Sequence, residues 1–136
     1  MHKLATQKTK NQHRGWEYLM KTVLIIDDST IMRMIIRNTV SKHGFCVVGE
    51  ANNGQAGVAK FKELKPDLVT MDITMKELSG LEALQQIKKI NAGAKVIMVS
   101  AMGQELIVKD AIVSGAKGFI VKPFNEDQLI DALNKL

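Results

Sequence analysis

From Thr22 onward the chain alternates short runs of consecutive apolar residues with longer stretches in which apolar residues recur every three or four positions. The runs are TVLIID (22–27), FCVVGEA (45–51), DLVTMD (67–72), KVIMVS (95–100) and GFIV (118–121). Consecutive rather than alternating apolar residues predict strands buried on both faces of a parallel sheet. The stretches between them predict helices. Residues 30–42 place Met32, Ile36 and Val40 four apart, with Arg33 and Arg37 on another face. Residues 81–90 space Leu81, Leu84, Ile87 and Ile90 by threes, and residues 104–114 pair Ile107 with Ala111 and Val108 with Ile112. Gly44 and Gly115 follow the first and fourth helices, where a left-handed residue is favoured. Asn125 is placed to cap the last helix, with Glu126 and Asp127 in its first turn and Lys135 near its end, as the helix dipole prefers.

Five strand–helix units are too few for an eight-fold barrel, so the predicted class is α/β: an open, doubly wound parallel sheet of five strands with helices on both faces. The length of 136 residues fits one domain. A composition of 46% hydrophobic and 24% charged residues excludes a disordered chain or a coiled coil. No run approaches the ~20 apolar residues of a membrane span. A single cysteine, Cys46, excludes an intramolecular disulfide and a multi-cysteine zinc site. Lying in an apolar strand, it is expected to be inert. His2, His13 and His43 show no metal spacing. The eight methionines read as core filler. A soluble, cytoplasmic protein is the expectation.

The net charge of +5 divides unevenly. Residues 1–20 carry Lys3, Lys8, Lys10, Arg14 and Glu17, whereas residues 21–136 are nearly balanced and make no electrostatic case for nucleic acid. The chain therefore divides into an N-terminal extension (1–20) and a domain (21–136). The extension lacks a secretory h-region and holds the chain's Trp and Tyr, Trp16 and Tyr18. Two readings stand for it: a plain extension, or a docking segment whose Trp16, Tyr18 and Leu19 insert into a groove.

In an open α/β sheet, ligands bind beyond the carboxyl ends of the strands. Here those ends carry Asp27-Asp28, Asp72, Ser100 and Lys122-Pro123. Three convergent carboxylates repel, and binding a cation relieves the repulsion. An all-oxygen donor set with open positions suits Mg²⁺ better than Ca²⁺. A carboxylate is also a nucleophile towards phosphoryl groups. Asp72 fits that role best, because the adjacent pair Asp27 and Asp28 suits holding the metal. Lys122 would supply counter-charge and Ser100 a hydrogen bond to a phosphoryl oxygen. Taken alone, Asp28 or Ser29 reads as the cap of the first helix, Lys122-Pro123 as a turn and Ser100 as a strand-end hydroxyl.

These residues carry a resemblance. The motifs IIDDS, MDITMKELSG with Gly80 eight after Asp72, VSAMG and GAKGFIVKPF make residues 21–136 similar to a response-regulator receiver domain of the CheY-like type. The resemblance implies the flavodoxin-like sheet order 2-1-3-4-5. It implies that Asp72 accepts a phosphoryl group from a histidine kinase. It further implies that Asp28, Asp72 and the backbone carbonyl of Thr74 ligate Mg²⁺ directly, with Asp27 acting through water. Ser100 and Lys122 would contact the phosphoryl group. Phe119 would be an aromatic switch following Ser100 and reshaping the surface of the fourth helix, fifth strand and fifth helix, which a protein target reads. A stand-alone signalling domain in chemotaxis or motility, monomeric or weakly dimeric, with no enzyme activity beyond its own phosphotransfer and dephosphorylation, is what this likeness implies.

One departure stands out. Lys76 occupies the position four after the acceptor where the family usually has Pro, which frees φ and restores an N–H. Two alternatives follow: an interaction module of receiver fold without physiological phosphorylation, or a receiver excised from a longer transcriptional regulator. A flavin-binding protein of similar fold is rejected because Asp27-Asp28 would repel the flavin phosphate. An aspartate-based phosphatase is disfavoured because it wants carboxylates two apart, and position 29 is Ser29.

Overall fold

The computed structural model describes residues 20–136. The docking reading of Trp16, Tyr18 and Leu19, like His2 and His13, lies outside the described residues. Strands and helices alternate strictly: β1 Thr22–Ile26, α1 Thr30–Lys42, β2 Cys46–Ala51, α2 Gly54–Leu64, β3 Leu68–Asp72, α3 Gly80–Ile90, β4 Val96–Ser100, α4 Glu105–Val113, β5 Gly118–Val121 and α5 Glu126–Asn134. The five strands and α1, α3 and α4 lie within a residue of the bounds their patterns predict, the usual scatter at element ends, and α5 starts directly after its expected cap Asn125. All pairings are parallel, in the order β2-β1-β3-β4-β5. The doubly wound five-stranded sheet is thus observed.

Successive strand residues point to opposite faces, so each central strand feeds two cores. Leu24, Ile26, Val69, Met71, Val96 and Met98 face α2, α3 and α4, where they meet Phe61, Leu84 and Ala111. Val23, Ile25, Leu68, Ile97 and Val99 face α1 and α5, where they meet Ile36, Val40, Leu129 and Leu133. Three helices therefore cover one face and two the other. Every residue of β1, β3 and β4 is buried. Burial on both faces fails for the edges: five of the six residues of β2 are half-buried, and Val121 in β5 is exposed. An apolar run does not report which strands end up outermost.

Two helical stripes are also narrower than their spacing suggests. Ile90 and Ile112 are exposed, because spacings of three and four drift around the 3.6-residue turn. The expected caps are present. Ser29 accepts from the Met32 N–H and Asn125 from the Gln128 N–H, while Gly44 and Gly115 take φ of 89° and 108°. Met71, Met75 and Met98 are core residues as expected, but Met34 and Met102 are exposed. Cys46, expected in an apolar interior, is half-buried on β2.

Candidate functional site

Because all five strands run in one direction, their last residues and the loops that follow share one rim. Asp27 follows β1 and is pinned by its backbone: its N–H donates to the Ala51 carbonyl at 3.0 Å. Its own carbonyl accepts from Arg33 Nη1 at 2.7 Å. One carboxylate oxygen of Asp27 accepts the Ser29 N–H at 2.9 Å and the other accepts from Lys122 Nζ at 2.9 Å. Ser29, not Asp28, caps α1, so the exposed Asp28 carboxylate is not spent on the helix.

Asp72 ends β3 and is buried. Lys122 Nζ lies 3.5 Å from its carboxylate and so bridges Asp27 and Asp72. Asp27, Asp28 and Asp72 each offer a carboxylate oxygen within 4.8 Å of the others. One ammonium against three carboxylates leaves the cluster short of positive charge. Burial, then the charge of Asp27, pushes the Asp72 carboxyl up to about 6, against the opposing pull of Lys122. Deficient positive charge and an all-oxygen donor set are what a hard divalent cation satisfies.

Ser100, at the end of β4, is fully buried, and its hydroxyl accepts the Met102 N–H at 3.0 Å. Its carbonyl accepts the Lys122 N–H at 2.8 Å, which ties the β4 and β5 ends together. The Lys122–Pro123 peptide is cis. Thr74 lies exposed in the loop after β3, where its hydroxyl donates to Met102 Sδ at 3.4 Å across the rim. Phe119 is half-buried and packs towards the core under α2, α3 and α4. Lys76 is exposed, and beside it Glu77 takes φ of 64°.

The structure thus gathers Asp27, Asp28, Asp72 and Lys122 into one cluster, with Ser100 and Thr74 on the same rim. Two contributors went unread in the sequence. The sequence pattern places Arg33 only on a helix face, although a helix starting at Thr30 puts it in the first turn, within reach of the β1 end. Gly80 was a spacing marker, and its physical role is steric. A Cβ there would meet the Asp72 carbonyl oxygen and lie 2.6 Å from Ile73 Cα, while the Gly80 N–H donates to the Ile73 carbonyl at 2.8 Å. The loop folds back onto the end of β3 only because position 80 has no side chain.

The family of response regulator receiver domains matches residues 23–134. This chain belongs to that family. The receiver is 53% identical over 116 residues to the chemotaxis protein CheY of Thermotoga maritima, covering 85% of this chain and 97% of the relative. It is 57% identical over 113 residues to CheY of Bacillus subtilis, covering 83% and 94%. Among solved structures, the CheX-CheY-BeF3-Mg+2 complex from Borrelia burgdorferi contains a similar chain, with TM-score 0.83, 36% identity and coverage of 85% and 87%. It is a CheY-type receiver, a signalling domain rather than a classical enzyme. Among the described residues no helix is long and apolar enough to cross a membrane.

Proposed function

We propose that this receiver is a phosphoryl-accepting switch of a two-component system, working in chemotaxis or motility in the cytoplasm, with Asp72 as the acceptor. The observation that carries the reading is Lys122 Nζ set between the buried Asp72 and Asp27, with Asp28 alongside. In the transfer, an Asp72 carboxylate oxygen forms a bond to phosphorus as the bond to a phosphohistidine nitrogen of the donor kinase breaks. The Lys122 ammonium stands ready to leave the carboxylate for a phosphoryl oxygen. Ser100 accepts from Met102 and keeps its own proton to donate to another phosphoryl oxygen. Burial of Asp72 limits the contact of its carboxylate with bulk water.

Asp28, Asp72 and the Thr74 carbonyl would hold Mg²⁺, with Asp27 acting through water. The ion would neutralise charge on the transferring phosphoryl group. Phosphorylation acts as a population shift: the arrangement in which Ser100 meets the phosphoryl group is stabilised, and Phe119 and the α4–β5–α5 surface follow. That surface exposes Leu106, Ile112, Val113 and Val121, a face a protein target would cover. The likeness to chemotaxis proteins at 53% and 57% identity supports the pathway.

Intact-mass measurement after incubation with acetyl phosphate and Mg²⁺ tests the reading. One added phosphoryl group is expected, absent without Mg²⁺ and absent in Asp72→Asn. No adduct on the wild-type chain would favour a pure interaction module and make Lys76→Pro the next variant. An adduct surviving Asp72→Asn would place the nucleophile elsewhere.

A further inference from the structure

Arg33 is the fourth residue of α1, and its side chain runs back towards the helix start, the lean expected of helical residues. Only 16% of that side chain is exposed, and each guanidinium nitrogen has a partner. Nη1 donates to the Asp27 carbonyl at 2.7 Å and Nη2 to the Thr30 hydroxyl at 3.3 Å. Nε lies 3.4 Å from the Glu50 carboxylate. The guanidinium is a rigid plane, so holding Nε fixes the direction in which Nη1 points.

Glu50 is itself held. It stands in β2 beside Ile25 of β1, and its other carboxylate oxygen accepts from Arg37 at 2.7 Å. Lys60 of α2 donates to its carbonyl. The next residue, Ala51, accepts the Asp27 N–H at 3.0 Å. The end of β2 therefore reaches Asp27 by two routes, directly to its N–H and through Arg33 to its carbonyl. That carbonyl shares a planar peptide unit with the Asp28 N–H and Cα, so its direction sets where the Asp28 side chain starts. Asp27 and Asp28 supply two of the three carboxylates gathered within 4.8 Å.

We infer that Glu50 and Arg33 are positioning residues: Glu50 aims Arg33, and Arg33 fixes the Asp27–Asp28 peptide so that both carboxylates face a divalent cation. Both act through the backbone of Asp27. The inference rests on the reading that this cluster holds Mg²⁺. Charge and position predict opposite signs for Arg33. A cation beside the cluster repels a metal ion, so removing its charge alone would tighten binding. Removing a positioning residue loosens it.

Amide NMR titrations of the full chain with MgCl₂ give the affinity and show that each variant is folded. Arg33→Met, which keeps an apolar stem, should weaken binding about tenfold, the lower end of what outer-shell partners of a metal contribute. Arg33→Lys reaches one partner but not all three, and should fall between Arg33→Met and the wild type. Glu50→Gln should lose about threefold, a smaller loss because Gln keeps an acceptor for Nε. In the Arg33→Met background the same change should lose nothing further, since Glu50 acts through Arg33. Arg37→Met removes a cation from the same carboxylate and should leave the affinity within about twofold.

Unchanged or tighter binding in Arg33→Met would overturn the inference, and lost stability in metal-free denaturant melts would then make Arg33 a purely structural residue. Additive losses from Arg33→Met and Glu50→Gln would break the relay between them. A loss in Arg37→Met as large as in Arg33→Met would assign the effect to charge around Glu50. A wild-type chain that binds no Mg²⁺, or an Asp28→Asn variant that binds it as tightly, would instead overturn the reading of the cluster and this inference with it.

Discussion

Asp72 shows how a buried carboxylate sets a stability cost. In the folded chain its carboxyl holds a proton up to about pH 6, against 3.8 for an unperturbed carboxyl, chiefly because burial penalises the charged form. Folding therefore gains most where the group is protonated in both states, below about pH 4, and that advantage is lost as pH rises through 6. The difference of about two pK units corresponds to about 3 kcal/mol. Denaturant melts of the metal-free chain should show Asp72→Asn matching the wild type below pH 4 and exceeding it by about 2–3 kcal/mol at pH 7.5. An equal difference at both pH values would assign the gain to something other than ionisation. Thr70 makes a simpler case. Its hydroxyl is buried without a hydrogen-bond partner among the described residues, between Ile25 and Ile97 in register. Thr70→Val should stabilise the chain by about 1 kcal/mol, since it removes an unsatisfied polar group at nearly constant volume. A loss on equilibrium unfolding would show that the hydroxyl has a partner. The sequence displayed a threonine in an apolar run but not that its hydroxyl would be orphaned, because that depends on which strands flank β3.

At the scale of elements, the loop from β3 to α3 carries the most constraint per residue. Ile73 and Met75 are buried while Thr74, Lys76 and Glu77 are exposed, and Ser79 and Glu82 close a reciprocal capping box at the start of α3. Gly80 holds the loop against the Asp72 backbone. Its φ does not demand glycine; the close approach does. Gly80→Ala should cost about 2 kcal/mol or more, because the neighbouring atoms are backbone and cannot rotate away. It should also slow phosphoryl acceptance by displacing Asp72. A variant of wild-type stability and wild-type acetyl phosphate kinetics would show that the loop yields freely. Element positions were largely legible: caps, glycine stops and apolar runs agreed with one another, and agreement among local signals is what a foldable sequence offers. Burial of β2 and of the α4 stripe was not legible. Each depends on position in the sheet, and residues such as Val47 or Ile112 are equally apolar whether they face a core or a groove.

For the whole molecule, the rim cluster was readable because a parallel sheet delivers all its strand ends to one side, whatever the strand order. Asp27, Asp28, Asp72 and Lys122 could therefore be brought together from sequence, while the Arg33 contact and the Thr74–Met102 bridge needed the loops in three dimensions. The same convergence couples metal binding to global stability. A cation held only by the folded chain stabilises it by RT ln(1 + [L]/Kd), about 2.7 kcal/mol at a hundredfold excess over Kd. On the reading that Asp72 ligates Mg²⁺, the ion meets the ionised carboxylate, and Asp72 is half protonated at about pH 6 in the metal-free chain. The rise in thermal midpoint with Mg²⁺ should therefore be clear at pH 7.5 and small at pH 5. Protons and metal compete for one carboxylate, so each should weaken the binding of the other. Asp28→Asn should abolish most of the rise, and its own midpoint without metal should equal or exceed the wild type, since it removes one of three mutually repelling charges. A rise of equal size at both pH values, or one retained by Asp28→Asn, would move the metal away from this cluster.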